Sequence, residues 1–96
     1  MEFENLQALK TLLCELGWED AIVFENPDFL DAVVGVDNDG RVIYDYDTML
    51  ESLMLKEDMS YEDSIEFVDY NTIRSLPYMG EKAPIIMYRF HEDLLS

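Results

Sequence analysis

Acidic side chains far outnumber basic ones in a chain that is almost half hydrophobic, and this combination limits what the chain can fold into. It has 22 Asp and Glu against 6 Lys and Arg, a formal net charge of −16, and 49% hydrophobic residues in a length of 96. An acidic disordered tail would lack the apolar residues for a core. We therefore expect one compact domain, residues 1–96, with an anionic surface. Such a surface repels nucleic acids and anionic membranes and attracts basic proteins.

Cysteine usage and the first residues indicate the compartment. Cys14 is the one cysteine, so no disulfide can form within a monomer, which suits a reducing compartment. Residues 1–4 read MEFE and lack the basic start of a signal peptide. No apolar run approaches the roughly 20 residues that span a bilayer. These features predict a soluble protein without membrane association, in the cytoplasm of a bacterium or, if phage-encoded, of its host cell.

Hydrophobic periodicity predicts one helix near the start of the chain and a second near its middle. The first covers residues 3–16 and ends at Gly17, a typical C-terminal cap. Its apolar stripe consists of Leu6, Leu9, Leu12, Leu13 and Leu16. Cys14 lies beside this stripe and is expected to be a packed thiol. Asp45 or Asp47 can cap the second helix. Its stripe consists of Met49, Leu50, Leu53 and Met54.

A third helix is predicted to begin after a capping box. The segment SYED at residues 60–63 has this pattern, with Asp in place of the usual Glu. The helix is expected to run from Tyr61 to about Arg74 and to bury Ile65 and Val68. Proline disfavours helix in the residue before it, so Leu76-Pro77 is expected to end the helix.

Short apolar runs predict the strands. They cover residues 21–24, 29–36, 41–46 and 85–90. The segment DNDG at residues 37–40 is typical of a hairpin turn between the second and third strands. That register places Val34, Val36, Val42 and Tyr44 on the core face. The predicted fold is α+β: an antiparallel sheet of three or four strands packed with three helices, in the order α-β-β-β-α-α-β.

Neither metal binding nor catalysis is predicted. If Gly40 is aligned with the invariant glycine of an EF-hand calcium loop, Gly35 falls at the first ligand position and Tyr46 replaces the bidentate Glu. A turn explains the same residues. The chain has a single histidine, His91, and no Gly-rich phosphate loop or pair of histidine ligands. We expect no enzyme activity, no metal and no cofactor.

The third helix carries the main candidate site. Glu62, Glu66 and Asp69 are spaced i, i+4 and i+7, so they share one face of an α-helix, and Asp63 lies beside them. Further acids precede the helix at Glu57 and Asp58. No Lys or Arg occurs in this helix before Arg74. Two interpretations are open: a solvated helix face, or a row of carboxylates spaced roughly like phosphates that binds a partner.

A second acidic group surrounds the predicted turn and the start of the second helix. It comprises Asp37, Asp39, Asp45 and Asp47. Turn and capping chemistry explain most of these residues. The chain also has six tyrosines, Tyr44, Tyr46, Tyr61, Tyr70, Tyr78 and Tyr88. Tyrosine beside carboxylates suits an interface that receives Arg side chains, although some of these rings must belong to the core.

Three segments carry a resemblance to known proteins. They are VDNDGRVIYDYD at residues 36–47, SYED at 60–63 and DYNTIRSLPY at 69–78. Over roughly residues 20–90, the chain resembles a group of small acidic proteins of Gram-positive gut bacteria and their phages and mobile elements. The resemblance brings no established catalytic residue. In layout and charge the chain is also similar to certain small acidic anti-CRISPR proteins, which occupy the DNA-binding groove of a CRISPR nuclease, although it adds a C-terminal strand.

These observations favour a non-enzymatic inhibitor or adaptor that binds a basic protein, such as a nucleic-acid-binding enzyme, by imitating nucleic acid. It would not bind nucleic acid itself, and its oligomeric state is left open. One alternative is a small housekeeping or regulatory protein, acidic for solubility, that binds through an apolar or tyrosine-lined patch. Another is an enzyme subunit without its own active site. A salt titration distinguishes the basic-partner hypothesis from the apolar-patch hypothesis, because binding through charge weakens steeply with salt and apolar binding does not.

Overall fold

Three helices and a three-stranded sheet make up the fold of residues 3–91, the part of the chain that the computed structural model describes. The elements in chain order are α1 (Leu6–Glu15), β1 (Val33–Val36), β2 (Val42–Asp45), α2 (Tyr46–Lys56), α3 (Tyr61–Phe67) and β3 (Ile85–Met87). A 3₁₀ turn, Leu30–Ala32, precedes β1. A π-helical turn, Val68–Thr72, and a 3₁₀ turn, Ile73–Tyr78, follow α3. The predicted α+β class is confirmed.

The sheet is mixed, so the predicted antiparallel sheet is wrong. β2 lies in the centre and pairs antiparallel with β1 and parallel with β3. In the parallel pair, Tyr44 lies opposite Ile86. Parallel neighbours need a long crossover, and the chain supplies it by leaving β2 through α2 and α3 before it returns at β3.

The predicted element order is also wrong, because residues 21–24 do not form a strand. The Phe24 N–H donates to the Tyr44 hydroxyl at 3.1 Å, so a side chain takes the place of a strand partner. The second predicted strand, residues 29–36, is half as long as expected. Phe29 has φ of 49°, in the left-handed region, and the 3₁₀ turn after it delays the strand until Val33.

A register shift in β1 changes which valines face the core. Val33 lies opposite Tyr44 and Gly35 opposite Ile43, so Val34 is the extra residue of a bulge. Val33 is buried and Val34 is 48% exposed. The predicted core position of Val34 is therefore wrong, because the bulge reverses the alternation on which that register depended.

Local signals fix the ends of α1. The Asn5 side chain accepts a hydrogen bond from the Ala8 N–H at 2.9 Å and caps the helix. Gly17 has φ of 88°, and its N–H donates to the carbonyl of Cys14, which confirms the predicted C-terminal cap. Cys14 itself is exposed, so the expectation of a packed thiol is wrong.

The third helical region is longer and less regular than predicted. Residues 61–78 are helical throughout, but only the α3 part has α geometry, and the chain continues through Pro77 in the 3₁₀ turn. Val68 is fully buried, as predicted, whereas Ile65 is half-buried. Ser60 caps α3 by accepting a hydrogen bond from the Asp63 N–H at 3.1 Å.

The core lies between the sheet and the helices and centres on Tyr44. This ring is fully buried, and its centroid is 4.6 Å from that of Phe24. Burial raises the pKa of Tyr44 to about 12. Its neighbours in the core include Leu9, Leu13, Phe29, Val42, Met49, Leu53 and Val68. Within residues 3–91, no helix is long and apolar enough to cross a membrane.

Candidate protein-interaction surface

The four predicted site acids of the third helical region, Glu62, Asp63, Glu66 and Asp69, are all exposed. We call them the α3 acidic face. The first three lie on α3, and Asp69 lies in the π-helical turn that follows it. Asp63 and Glu62 occupy the first turn of the helix, where negative charge complements the helix dipole. This stabilisation by the helix dipole does not extend to Glu66 and Asp69, which lie beyond the first turn.

None of these four carboxylates forms an ion pair with a residue of the described range 3–91. The basic residues have other partners. The ion pairs are Lys10–Glu25 at 3.0 Å, Lys56–Asp31 at 2.9 Å, Lys82–Asp20 at 3.8 Å and Arg89–Asp45 at 2.6 Å. Arg41 donates through Nε to the Ala83 carbonyl at 2.7 Å, and the guanidinium carbon of Arg74 lies 5.1 Å from the centroid of the Tyr70 ring. Five of the six Lys and Arg are therefore engaged away from the α3 acidic face, and the sixth, Arg74, lines a hollow with Asp69 but contacts the Tyr70 ring.

The structure divides the α3 acidic face into two sides rather than one stripe. Asp69 lies on the side of the paired rings of Tyr46 and Tyr88, whose centroids are 4.8 Å apart and whose planes are tilted by 38°. Burial first, and the negative charge of Asp69 next, raise the pKa of Tyr46 and of Tyr88. Asp63 and Glu66 line a hollow on another side of the helix. The π-helical turn departs from α spacing, which the i, i+4, i+7 prediction assumed.

The hollow beside Asp63 and Glu66 is a shallow, open depression of about 410 Å³, which we call the α3 groove. It is lined by Met59, Asp63, Glu66, Phe67, Tyr70 and Asn71. Met59 and Phe67 are half-buried and pack against the core. The groove thus has apolar side chains anchored in the fold and two exposed carboxylates.

The acids before α3 continue the negative surface. Glu57 and Asp58 are exposed in the connection between α2 and α3. Asp58 has φ of 54°, a left-handed conformation that Asp tolerates better than most residues. Together with the α3 acidic face, they place six carboxylates within residues 57–69.

The second acidic group mostly serves the fold. Asp37 Oδ1 accepts hydrogen bonds from the N–H groups of Asp39 and Arg41, both at 2.9 Å. The hydrogen bond from Arg41 is the main reason that the pKa of Asp37 lies below its usual value. Gly40 has φ of 85°, as the turn requires. The Asp39 carbonyl accepts a hydrogen bond from Lys82 Nζ.

Asp45 is buried and joins three parts of the chain. Its Oδ2 accepts a hydrogen bond from the Thr48 N–H at 3.1 Å, which caps α2, and another from Arg89 Nη2 at 2.6 Å. Burial alone would raise the pKa of Asp45, but the hydrogen bonds from Arg89 and Thr48 outweigh it and hold the pKa below its usual value. Asp47 lies 3.0 Å from His91 Nε2 and 3.7 Å from Arg89 Nε.

The tyrosines separate into core and surface. Tyr44 is core and Tyr46 is half-buried, whereas the other four are exposed, with Tyr78 at 90%. The α3 groove and the Tyr46–Tyr88 pair were not predicted from the sequence. Phe67, four residues after Asp63, was a usable signal for an apolar patch beside the acids. Nothing local in the sequence indicates that Tyr46 and Tyr88 meet.

Within residues 3–91, no group of three or more His, Cys, Asp or Glu side chains is arranged to hold a metal ion. No protein-family model, curated protein or solved structure matches this chain. The resemblance to small acidic proteins of gut bacteria and to anti-CRISPR proteins therefore stays a prediction.

Proposed function

We propose that this chain is a non-enzymatic acidic binding protein that inhibits or recruits a basic protein partner. The α3 acidic face, with Glu57 and Asp58, would contact the partner. One observation carries the proposal: these carboxylates are exposed and form no ion pair with a residue of the described range, while the six basic residues have other partners. A positive partner surface would supply the missing counter-charges and would be attracted over long range.

The partner class that fits this arrangement is a protein that itself binds nucleic acid. Such a protein presents Lys and Arg for phosphates, and exposed carboxylates can pair with the same basic groups. We propose that the chain competes with nucleic acid, as an anti-defence inhibitor would, in a bacterial or infected-cell cytoplasm. The free protein should not bind DNA or RNA, because binding requires a basic surface that releases counterions from phosphates.

The test compares two triple variants with equal net charge. E62Q/E66Q/D69N removes three charges from the α3 acidic face, and the control E15Q/E19Q/E81Q removes three exposed charges elsewhere. Both serve as bait in a bacterial lysate beside the unaltered protein, and captured proteins are purified for affinity and DNA-competition measurements. We expect a basic protein that the unaltered bait and the control retain, that the first variant loses, and that DNA displaces. Equal capture by both variants would exclude this face as the binding surface.

An apolar or tyrosine-lined interface is the second candidate function, and side-chain exposure favours it. Tyr78, Leu55 and Phe90 are each at least 85% exposed. A complex held by such residues would keep its affinity as salt rises from low to physiological concentration, whereas a complex held by the α3 acidic face would weaken. A salt titration of any purified complex distinguishes the two.

A further inference from the structure

Tyr70 separates two hollows that share the same chemistry. On one side, Asp69, Tyr70, Ile73 and Arg74 line a shallow hollow, and Arg74 places its guanidinium 5.1 Å from the centroid of the Tyr70 ring. On the other side, Tyr70 lines the α3 groove with Asp63 and Glu66. Each hollow thus combines carboxylate with the same tyrosine ring. Only the first contains a basic residue of the described chain among its lining.

The α3 groove has the features that a long cationic side chain requires. Met59 and Phe67 offer apolar surface to an aliphatic stem, and both are held in place by packing against the core. Asp63 and Glu66 are exposed carboxylates that can accept hydrogen bonds from the charged end. Long cationic side chains bind in this divided way, with the stem on apolar surface and the charge near water.

Arginine fits these groups better than lysine. Its guanidinium is planar, stacks on aromatic rings and donates to two carboxylate oxygens at once, whereas a lysine ammonium is a strongly hydrated point charge. The contact between Arg74 and Tyr70 demonstrates that this ring accepts a guanidinium in the folded protein. Charge complementarity adds to the argument, because the α3 groove lies in a surface of net charge −16.

We propose that the α3 groove binds an arginine side chain of the basic partner, with Asp63 and Glu66 on the guanidinium and Tyr70 beside it. This inference rests on the proposed function and deepens it, because it names the partner residue and the groups that recognise it. The remaining acids, Glu62 and Asp69, would act mainly through long-range attraction. The groove would therefore give selectivity for arginine within a surface that attracts any basic protein.

The experiment uses blocked hexa-arginine and hexa-lysine peptides as probes, in calorimetric titrations at low and physiological salt. The informative variants are D63N/E66Q in the groove and E62Q/D69N outside it, because each removes one Asp and one Glu from the same helical region. We expect tighter binding of hexa-arginine than of hexa-lysine. D63N/E66Q should weaken hexa-arginine binding about tenfold, and E62Q/D69N about twofold. Tyr70→Leu should weaken it by about threefold and Tyr70→Phe should not.

The possible failures are distinguishable. If the two peptides bind equally and both double variants weaken them equally, the attraction is unspecific and the groove is excluded, while the proposed function stands. If the unaltered protein binds neither peptide at low salt, both proposals fall. Circular dichroism checks that each variant is folded. If D63N/E66Q is not, the comparison of Tyr70→Leu with Tyr70→Phe decides, because equal affinities of these two variants would overturn the inference.

Discussion

Asp37 and Gly40 shape the turn between β1 and β2 by different means. The Asp37 carboxylate accepts two backbone hydrogen bonds, and its lowered pKa means that this contribution to stability is present above the usual pKa and is lost as the pH falls through the lowered one. Gly40 contributes by lacking a side chain. A Cβ at this position would clash with Cε3 of the Trp18 indole ring. These contacts of Asp37 and Gly40 explain the conformation of the turn.

Gly40→Ala should therefore destabilise the protein in two ways, and Gly80→Ala separates them. Both glycines have φ of 85°, but a Cβ at Gly80 would meet nothing within 4 Å. We expect Gly80→Ala to cost about 1 kcal/mol through backbone strain. Gly40→Ala should cost that amount plus about 1–3 kcal/mol for the forced shift of Trp18. Urea unfolding gives both values, and the emission of the single tryptophan should change only in Gly40→Ala. Equal costs would show that the Trp18 contact is unimportant.

Asp45 connects β2, the start of α2 and the chain that follows β3. It ends β2, caps α2 and pairs with Arg89, two residues beyond the end of β3. The parallel strand is thus held by the sheet and also by an ion pair to the start of α2. Asp47 adds a weaker contact with the same arginine, at 3.7 Å. This use in the fold makes Asp45 a poor candidate for partner binding, although the sequence placed it with the site acids.

Asp45→Asn should lower the free energy of unfolding at neutral pH by about 1–2 kcal/mol, because an amide still caps α2 but loses the ion pair with half-exposed Arg89. Since the folded protein lowers the pKa of Asp45, this loss should be complete above the usual Asp pKa of about 3.9 and should shrink as the pH falls below it. Urea unfolding of both proteins from pH 7 to pH 3 measures the difference. A difference that stays constant across this range would contradict the assigned ion pair.

The sequence was most informative where a signal is local. Ser- and Gly-based caps and turns depend on a few neighbouring residues, so Gly17, Gly40 and the start of α3 were predictable. Strand pairing depends on distant residues. The predicted helices between β2 and the last strand make a connection long enough for a parallel pair, but a long connection does not exclude an antiparallel pair. Residues 21–24 do not form a strand, and the Phe24 N–H instead donates to the distant Tyr44 hydroxyl, a contact that no local pattern indicates.

In the candidate site, too, features that depend on local signals were predictable and features that depend on distant contacts were not. Exposed acids on the third helical region were predictable, because a helix with one apolar side leaves the other in water. Their separation into an Asp69 side and a groove side was not predicted, because the groove is formed with residues outside α3, such as Met59 and Tyr70. The apolar part of the groove depends on Met59, which lies before the helix and meets Phe67 only in the folded chain.

At the scale of the whole molecule, charge acts over the full width of the described fold. Its principal extents are 38, 32 and 27 Å. The screening length is about 30 Å in 10 mM salt and about 8 Å in 150 mM salt. In dilute salt, carboxylates on opposite sides therefore repel one another, whereas near-physiological salt confines repulsion to neighbours. A net charge of −16 makes this repulsion a cost to the folded state that salt relieves.

The melting temperature should therefore rise by several degrees from 10 to 150 mM NaCl and by less from 150 to 500 mM, where the screening length is already short. Scanning calorimetry over this series measures the effect. The two triple variants, E62Q/E66Q/D69N and E15Q/E19Q/E81Q, serve as controls, because each removes three negative charges. At low salt, repulsion depends on total charge more than on position, so both should melt higher than the unaltered protein and respond less to salt. A melting temperature that does not change between 10 and 150 mM would mean that the acids cost the fold nothing. A smaller salt response in only one variant would locate the repulsion on that face.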